Sequence, residues 1–220
     1  ITGLNNITAI EGNLQIVSNN NLINIDLTNL GTIGGGLYIG SNESLLSLDG
    51  LESLYTIDGE FNIASNYLLS DLTGIDNLIW VGGILKLHSN NSLINLSGLN
   101  NMAYLGGLDI DSNNGLVSLS GLEKLIVIEG DVIIQYNESL TSFTGLDNVT
   151  NIDGDLYIHR NNNITDLVGL GSLNTIGGDL IIGYTDYWNN PSLINLNGIN
   201  SLNLVMGSIS ISYNDSLVNL

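Results

Sequence analysis

The sequence predicts an all-β fold: a parallel β-solenoid of about nine 24-residue coils with an internal asparagine ladder. Three observations carry this prediction: a string that recurs at fixed spacing, a pair of alternating apolar residues in each copy, and an asparagine after each pair. Self-similarity of this length is typical of stacked repeat proteins, in which each copy buries its apolar side against its neighbours. The copies fill the chain, so residues 1–220 are predicted to form a single repeat domain.

The repeat is clearest in residues 145–168, GLDNVTNIDGDLYIHRNNNITDLV. Its pattern is G-L-x-x-[LVI]-x-x-I-x-G-x-L-x-I-x-x-N-x-x-L-x-x-L-x. One copy lacks a residue and another carries five extra residues, 185–189. The copies begin at Gly3, Asp26, Gly50, Gly74, Gly98, Gly121, Gly145, Gly169 and Gly198.

Each copy contains an L-x-I pair, whose period of two predicts a short strand with alternating faces. One strand per coil stacks into a parallel sheet with neighbours about 4.8 Å apart. The rest of each copy is too short for a stable helix, which favours extended or 3₁₀ segments bent at glycines. The pairs are Leu14/Ile16, Leu37/Ile39, Phe61/Ile63, Leu85/Leu87, Leu108/Ile110, Val132/Ile134, Leu156/Ile158, Leu180/Ile182 and Ile209/Ile211.

An asparagine follows the strand in every copy. A buried amide is costly unless it is hydrogen-bonded, and a turning backbone leaves N–H and C=O groups without partners. We therefore expect each side chain to bond the corner backbone of its own or the next coil. The asparagines are Asn19, Asn42, Asn66, Asn90, Asn113, Asn137, Asn161, Asn190 and Asn214.

The string I-x-G-x-L-x-I-x-x-N-x-x-L-x-x-L-x-G-L resembles receptor L-domain-type leucine-rich repeats, and this resemblance covers the whole chain. It implies a right-handed solenoid that binds a ligand rather than catalysing a reaction, placed outside the cell or on the cell surface. The absence of cysteine and the regular repeat make the chain more similar to secreted bacterial surface proteins than to receptor ectodomains. The resemblance does not identify a ligand.

The charge balance restricts the partners. Twenty-two acidic residues stand against three basic ones, giving a net charge of −19. Binding to a nucleic-acid backbone needs clustered Lys and Arg, so a nucleic-acid partner is excluded, and anionic membrane surfaces are disfavoured. No apolar run approaches the roughly 18 residues of a membrane span, so no membrane insertion is predicted.

Three carboxylates are predicted to form a column on the outer face of the sheet. Asp131, Asp155 and Asp179 hold equivalent positions in consecutive coils, so they should lie about 4.8 Å apart. Like charges this close are tolerated by hydration, by proton uptake or by sharing a cation. Because all the ligand atoms would be oxygen, the cation hypothesis is Ca²⁺, and no other cofactor is predicted.

A second candidate site lies at the corner just before the asparagine. Five copies carry serine there (Ser18, Ser41, Ser65, Ser89 and Ser112), whereas the last four carry Tyr136, Arg160, Tyr184 and Tyr213. The insertion adds Tyr187 and Trp188 at the same corner, and Tyr157 and His159 face outward nearby. Function concentrates in insertions on repeat scaffolds, and Tyr, Trp and Arg dominate binding hot spots.

These eight residues predict a site for a protein or glycan ligand. The competing interpretation is that the bulky corner covers the exposed end of the solenoid as a loose cap. His88 and His159 share an outward column three coils apart, too far to hold one metal, and we expect both to be solvated.

Two other functions remain open. The chain could be a structural unit that associates end to end into extracellular fibres, because neither end carries a recognisable cap. It could also bind ice through a rank of outward residues on a second side, which is interrupted and lacks a regular T-x-T array. Enzymatic activity is not predicted, although Asp109, Asp111, Asp131 and Asp155 form the one acidic cluster that could cleave a polysaccharide. The rank of small residues, which aspartates interrupt, consists of Asn24, Ser47, Asp71, Asn95, Ser118, Ser142, Asp166, Asn195 and Asn219. Beside it run Ile23, Leu46, Ser70, Ile94, Val117, Thr141, Thr165, Ile194 and Val218.

Overall fold

A computed structural model describes residues 3–220 and confirms the all-β solenoid. All strand pairs are parallel, and the described residues contain no helix that could cross a membrane. The strands are β1 (Ala9–Ile10), β2 (Leu14–Val17), β3 (Thr32–Ile33), β4 (Leu37–Gly40), β5 (Thr56–Ile57), β6 (Phe61–Ala64), β7 (Trp80–His88), β8 (Tyr104–Asp111), β9 (Val127–Ile128), β10 (Val132–Gln135), β11 (Asn151–Ile152), β12 (Leu156–His159), β13 (Thr175–Ile176), β14 (Leu180–Ile182), β15 (Leu204–Val205) and β16 (Ile209–Ile211).

The strands form two stacks. They meet at the corner between each short strand and the L-x-I strand that follows it, where a glycine recurs in the copies. The L-x-I strands pair in register along one stack, and the shorter strands pair along the other. Strands β7 and β8 run through both stacks, and the copy from Gly98, which contains β8, lacks one residue. Two glycines of β7, Gly82 and Gly83, lie in a register shift between Val81 and Ile84, as in a β-bulge. Trp80 and Tyr104 stack across these strands with ring centroids 3.6 Å apart.

The interior is almost entirely aliphatic, with Phe61 and Phe143 as the two buried aromatic residues. In seven consecutive coils, from β4 to β14, the inward residues of the L-x-I strand are at most 2% exposed. The strands of the two terminal coils, β2 and β16, are only partly buried because each has a neighbour on one side. Nine strands therefore stack, but about seven turns are complete, so the predicted count of nine turns is slightly too high. The right-handed sense stays a prediction.

The asparagine ladder is present, and its side chains bond the backbone of the preceding coil, which the repeat pattern does not predict. The Asn113 side-chain oxygen accepts from the Asn90 N–H at 3.0 Å, and its Nδ2 donates to the Leu87 carbonyl at 2.7 Å. A further bond at 3.1 Å reaches the Asp111 carbonyl of the same coil. The expected bond to the backbone of the same coil is therefore confirmed, whereas the bonds to the backbone of a neighbouring coil run to the preceding coil and not to the next one. From Asn42 to Asn190 the ladder residues are fully buried.

The residue before each ladder asparagine adopts the left-handed conformation, which non-glycine residues normally avoid. These residues have φ between 53° and 58° and are Ser18, Ser41, Ser65, Ser89, Ser112, Tyr136, Arg160 and Tyr213. In the eighth coil Gly183 takes this conformation, with φ of 72°. Tyr184 is therefore not a corner residue, as the alignment of the copies predicts, but the first residue of the inserted loop.

Candidate functional site

The inserted loop is a small hydrogen-bonded turn attached to the seventh and eighth coils. The Tyr184 N–H donates to the Trp188 carbonyl at 3.0 Å, and the Trp188 N–H donates to the Thr185 carbonyl at 2.9 Å. The Arg160 N–H donates to the Asn189 carbonyl at 2.8 Å, which ties the end of the loop to the preceding corner. Only glycine fits at the start of the loop, because a Cβ on Gly183 would lie 2.1 Å from the Ser212 carbonyl oxygen.

Between this loop and the sheet lies a pocket of about 90 Å³, lined by Tyr157, His159, Ile181, Tyr184 and Trp188. Tyr157 and Ile181 are register partners on β12 and β14, so the sheet fixes the floor of the pocket. Tyr184 and Trp188 come from the loop and form its outer wall. The pocket is therefore partly preformed by strands and partly closed by the insertion.

The rings of the pocket contact one another in two ways. Trp188 lies over His159 with centroids 5.1 Å apart and ring planes 18° from parallel. Tyr184 is tilted by 44° to Trp188, with centroids 5.9 Å apart. Trp188 is 41% exposed and Tyr184 is 58% exposed, so both present aromatic surface to the solvent.

His159 is buried by the loop, and the expectation that it is solvated is wrong. It is only 4% exposed, and its Nδ1 atom is buried without a hydrogen-bond partner. Burial lowers the pKa of His159 because the charged imidazolium would lose its hydration, and Asp111 opposes this shift only in part. His159 is accordingly neutral at pH 7.

His88 illustrates the opposite environment three coils away in the same column. Its Nε2 lies 3.0 Å from an Asp109 carboxylate oxygen, and the side chain is partly buried. The nearby Asp109 carboxylate raises the pKa of His88, against a smaller effect of burial. His88 is therefore an ion-pair partner within the sheet face and not a free surface histidine.

The remaining predicted binding residues divide into a pair and two separate side chains. The Arg160 guanidinium lies over the Tyr136 ring at 5.3 Å, a cation–π contact beside a second pocket of about 130 Å³. Tyr187 is 77% exposed and Tyr213 is 50% exposed, and neither lines the pocket under the loop. Ile181 does line it and was missed among the binding residues. Its signal in the sequence was an apolar residue at an outward strand position.

Carboxylates of the aspartate column accept hydrogen bonds from backbone N–H groups of the next coil. The Asp131 carboxylate accepts from the Asp155 N–H at 2.8 Å, and that of Asp155 accepts from the Asp179 N–H at 2.6 Å. The other Asp155 oxygen accepts from the Tyr157 hydroxyl at 2.7 Å, which raises the pKa of Tyr157 to about 12. No group of three or more His, Cys, Asp or Glu residues within 3–220 is placed to hold a metal ion. The calcium hypothesis stays a prediction.

The rank proposed for ice binding is exposed but irregular. Ile23, Ile94 and Val218 are 57%, 54% and 69% exposed, and backbone bonds join several neighbours along the rank. Serine, threonine and bulky aliphatic residues alternate without a fixed order, so the spacing of methyl and hydroxyl groups is not uniform. Ice binding stays a prediction.

The molecule is thus a repeat solenoid with an aromatic pocket on one corner. Residues 126–220 match the family model described as Receptor L domain. The matched segment contains all eight predicted binding residues, and the Receptor L domain is a ligand-binding, non-enzymatic family. Searches of curated proteins and of solved structures gave no match.

Proposed function

We propose that this protein is a non-catalytic recognition or adhesion module that acts outside the cell or on the cell surface. It binds a protein or a glycan through the aromatic corner, defined as Tyr136, Tyr157, His159, Arg160, Tyr184, Tyr187, Trp188 and Tyr213. The observation that carries the proposal is the pocket that the one five-residue insertion builds over an otherwise regular sheet.

The physical setting suits recognition. Ligand sites are concave, largely apolar and mostly preformed, and they hold few polar groups. Here the floor belongs to strands whose inward residues are fully buried, so its shape is fixed before a ligand arrives. Exposed Tyr, Trp and Arg side chains supply large contact areas at low cost in conformational entropy. The similarity of residues 126–220 to the Receptor L domain supports the same function independently.

The test compares Trp188→Ala and Tyr184→Ala with Tyr67→Ala, a matched substitution of a tyrosine that is 49% exposed on the third coil. We expect the first two variants to lose binding on glycan arrays and on a panel of cell-surface proteins, with melting temperatures close to that of the parent. Tyr67→Ala should keep both properties. If the corner variants keep binding but lose stability, the corner is a cap.

A second candidate, end-to-end assembly into fibres, is favoured by the exposed interior at both ends. A recess of about 230 Å³ at one end is lined by Leu4, Leu14 and Leu22, and one of about 320 Å³ at the other is lined by Ile209 and Ile211. Further coils of the same chain would cover these surfaces equally well. Electron microscopy and light scattering at rising concentration test the idea, and a monomer at every concentration contradicts it.

A further inference from the structure

We infer that the pocket under the inserted loop binds an alkylated ammonium group, such as the head group of choline or the side chain of a methylated lysine. This inference deepens the proposed function and rests on the aromatic corner being a binding site. It names the chemical class of the group that enters the pocket of Tyr157, His159, Ile181, Tyr184 and Trp188.

The walls of the pocket are aromatic and carry no positive charge. Three aromatic rings and a neutral imidazole surround the space, and Ile181 completes the lining. The faces of aromatic rings are electron-rich and attract cations, most strongly when the cation is desolvated, and cages of this kind recognise quaternary ammonium groups. The rings of Tyr184 and Trp188 are tilted by 44° and do not stack on each other, and both line the pocket.

The surrounding charges reinforce this preference. The Tyr157 hydroxyl donates a hydrogen bond to Asp155, with the two oxygen atoms 2.7 Å apart. This bond increases the electron density of the tyrosine ring. Asp131 and Asp179 occupy the neighbouring coils, and the chain as a whole carries a net charge of −19. A field of this sign concentrates cations at the pocket and disfavours anions.

The size and the polar groups of the pocket suit a compact cation. Its volume is about 90 Å³. The Tyr157 hydroxyl is already bonded to Asp155, and the His159 Nδ1 is covered. A quaternary ammonium group has no N–H, so it needs no hydrogen-bond acceptor when it enters this pocket.

The experiment titrates the protein with tetramethylammonium chloride at constant ionic strength, matched with sodium chloride. The chain has two tryptophans, so the substitution Trp80→Phe leaves Trp188 as the sole tryptophan reporter. We expect a saturable change in Trp188 fluorescence. Choline should bind roughly tenfold more tightly than the neutral alcohol in which a tert-butyl group replaces its trimethylammonium group. Equal binding of the two compounds overturns the inference, as does the absence of a response to both cations.

Calorimetry on Trp188→Ala and Tyr184→Ala, with Tyr67→Ala as control, confirms the location of the site. The corner variants should lose tetramethylammonium binding at unchanged circular dichroism. Binding of a neutral glycan at this corner without any response to tetramethylammonium overturns the inference and leaves the proposed function standing. Failure of every ligand overturns both. Vesicles that display phosphocholine and a peptide with trimethylated lysine then distinguish a choline source from a protein source, and either one supports the inference.

Discussion

Two stretches of the same solenoid have the same backbone and different corners. In the first five coils the left-handed corner residue is serine, with φ from 53° to 58°. In the sixth, seventh and ninth coils the corner is Tyr136, Arg160 or Tyr213, with φ from 55° to 58°. The buried asparagine that follows makes the same bonds beneath both kinds of corner.

This comparison separates what the fold requires from what it tolerates. The left-handed conformation imposes a similar backbone strain on a serine and on a tyrosine. The buried asparagine that follows stabilises both kinds of corner. Since a small residue suffices, bulky aromatic and cationic side chains at the later corners are not needed to form the turn. Their presence beside the only five-residue insertion is what links this region to binding.

The largest expected effect concerns the start of the loop, where the two stretches diverge. Gly183→Ala should lower the free energy of unfolding by about 2–4 kcal/mol, because it adds strain at a positive φ and a clash with the Ser212 carbonyl. Gly171→Ala is the control, since a Cβ there would meet nothing within 4 Å. Chemical denaturation measures both. Equal small effects would show that the loop entry is not fixed as described.

The ladder should be equally important in the two stretches. Asn113→Ala, under a serine corner, and Asn137→Ala, under Tyr136, should each cost about 1–3 kcal/mol through backbone groups left without partners. Asn62→Ala, at a half-buried position on the outer face whose amide donates to Glu60 and to no backbone group, should cost less than about 0.5 kcal/mol. Similar melting shifts for all three variants would contradict the structural role of the ladder.

Substitutions of Asp155 distinguish two roles of the aspartate column, hydrogen bonding to the backbone and calcium binding. Asp155→Ala should cost about 1 kcal/mol because the Asp179 N–H loses its acceptor, whereas Asp155→Asn keeps an acceptor oxygen and should cost less. With the carboxylates engaged in this way, we expect calcium to leave the melting temperature of a desalted sample unchanged. An upward shift that Asp155→Asn abolishes would instead establish a shared cation.

Exchanging corner residues between the two stretches should have a smaller effect on stability. Tyr136→Ser should change stability by less than about 1 kcal/mol, since it removes one partly exposed cation–π contact with Arg160. The reciprocal Ser112→Tyr should be tolerated to a similar degree. A large loss of stability in Tyr136→Ser, measured by thermal unfolding, would mean that the aromatic corner is structural.

The smallest expected effect is on the pH dependence of stability, to which His88 and His159 contribute with opposite signs. The raised pKa of His88 stabilises the fold below its unfolded pKa of about 6.5, and this contribution is lost as the pH rises through the folded pKa. The lowered pKa of His159, which only Asp111 opposes, destabilises the fold as the pH falls below about 6.5. Melting curves of His88→Gln and His159→Gln between neutral and acidic pH should therefore deviate from the parent in opposite directions. Deviations of the same sign contradict the assigned environments.

Most of the fold followed from the sequence because every copy repeats the same physical solution. The alternation of Leu156 and Ile158, and the asparagine after them, are enough to predict strand, core and ladder. Two differences between the repeat pattern and the structure lie where the repeat is broken. The copy that lacks a residue near Gly106 has its two strands joined as β8, and the insertion transfers the corner conformation from Tyr184 to Gly183.

The site was harder to predict for the same reason. The spacing of the copies placed His159 on the outer face but contained no information on the path of the inserted loop. Only the loop path puts the Trp188 ring over that histidine and lowers its exposure to 4%. Likewise, three aspartates in a column predicted mutual repulsion, because the sequence does not show that each carboxylate points at the next coil's N–H.

The central claim is that the aromatic corner was added to the solenoid for binding. Deleting residues 185–189 tests it most directly, because the deletion restores the 24-residue spacing and leaves both the sheet and the ladder intact. We predict a melting temperature within a few degrees of the parent and complete loss of the ligand binding measured at this corner. A fall in stability as large as that of Asn137→Ala, with binding retained, would contradict the claim and identify the loop as a cap.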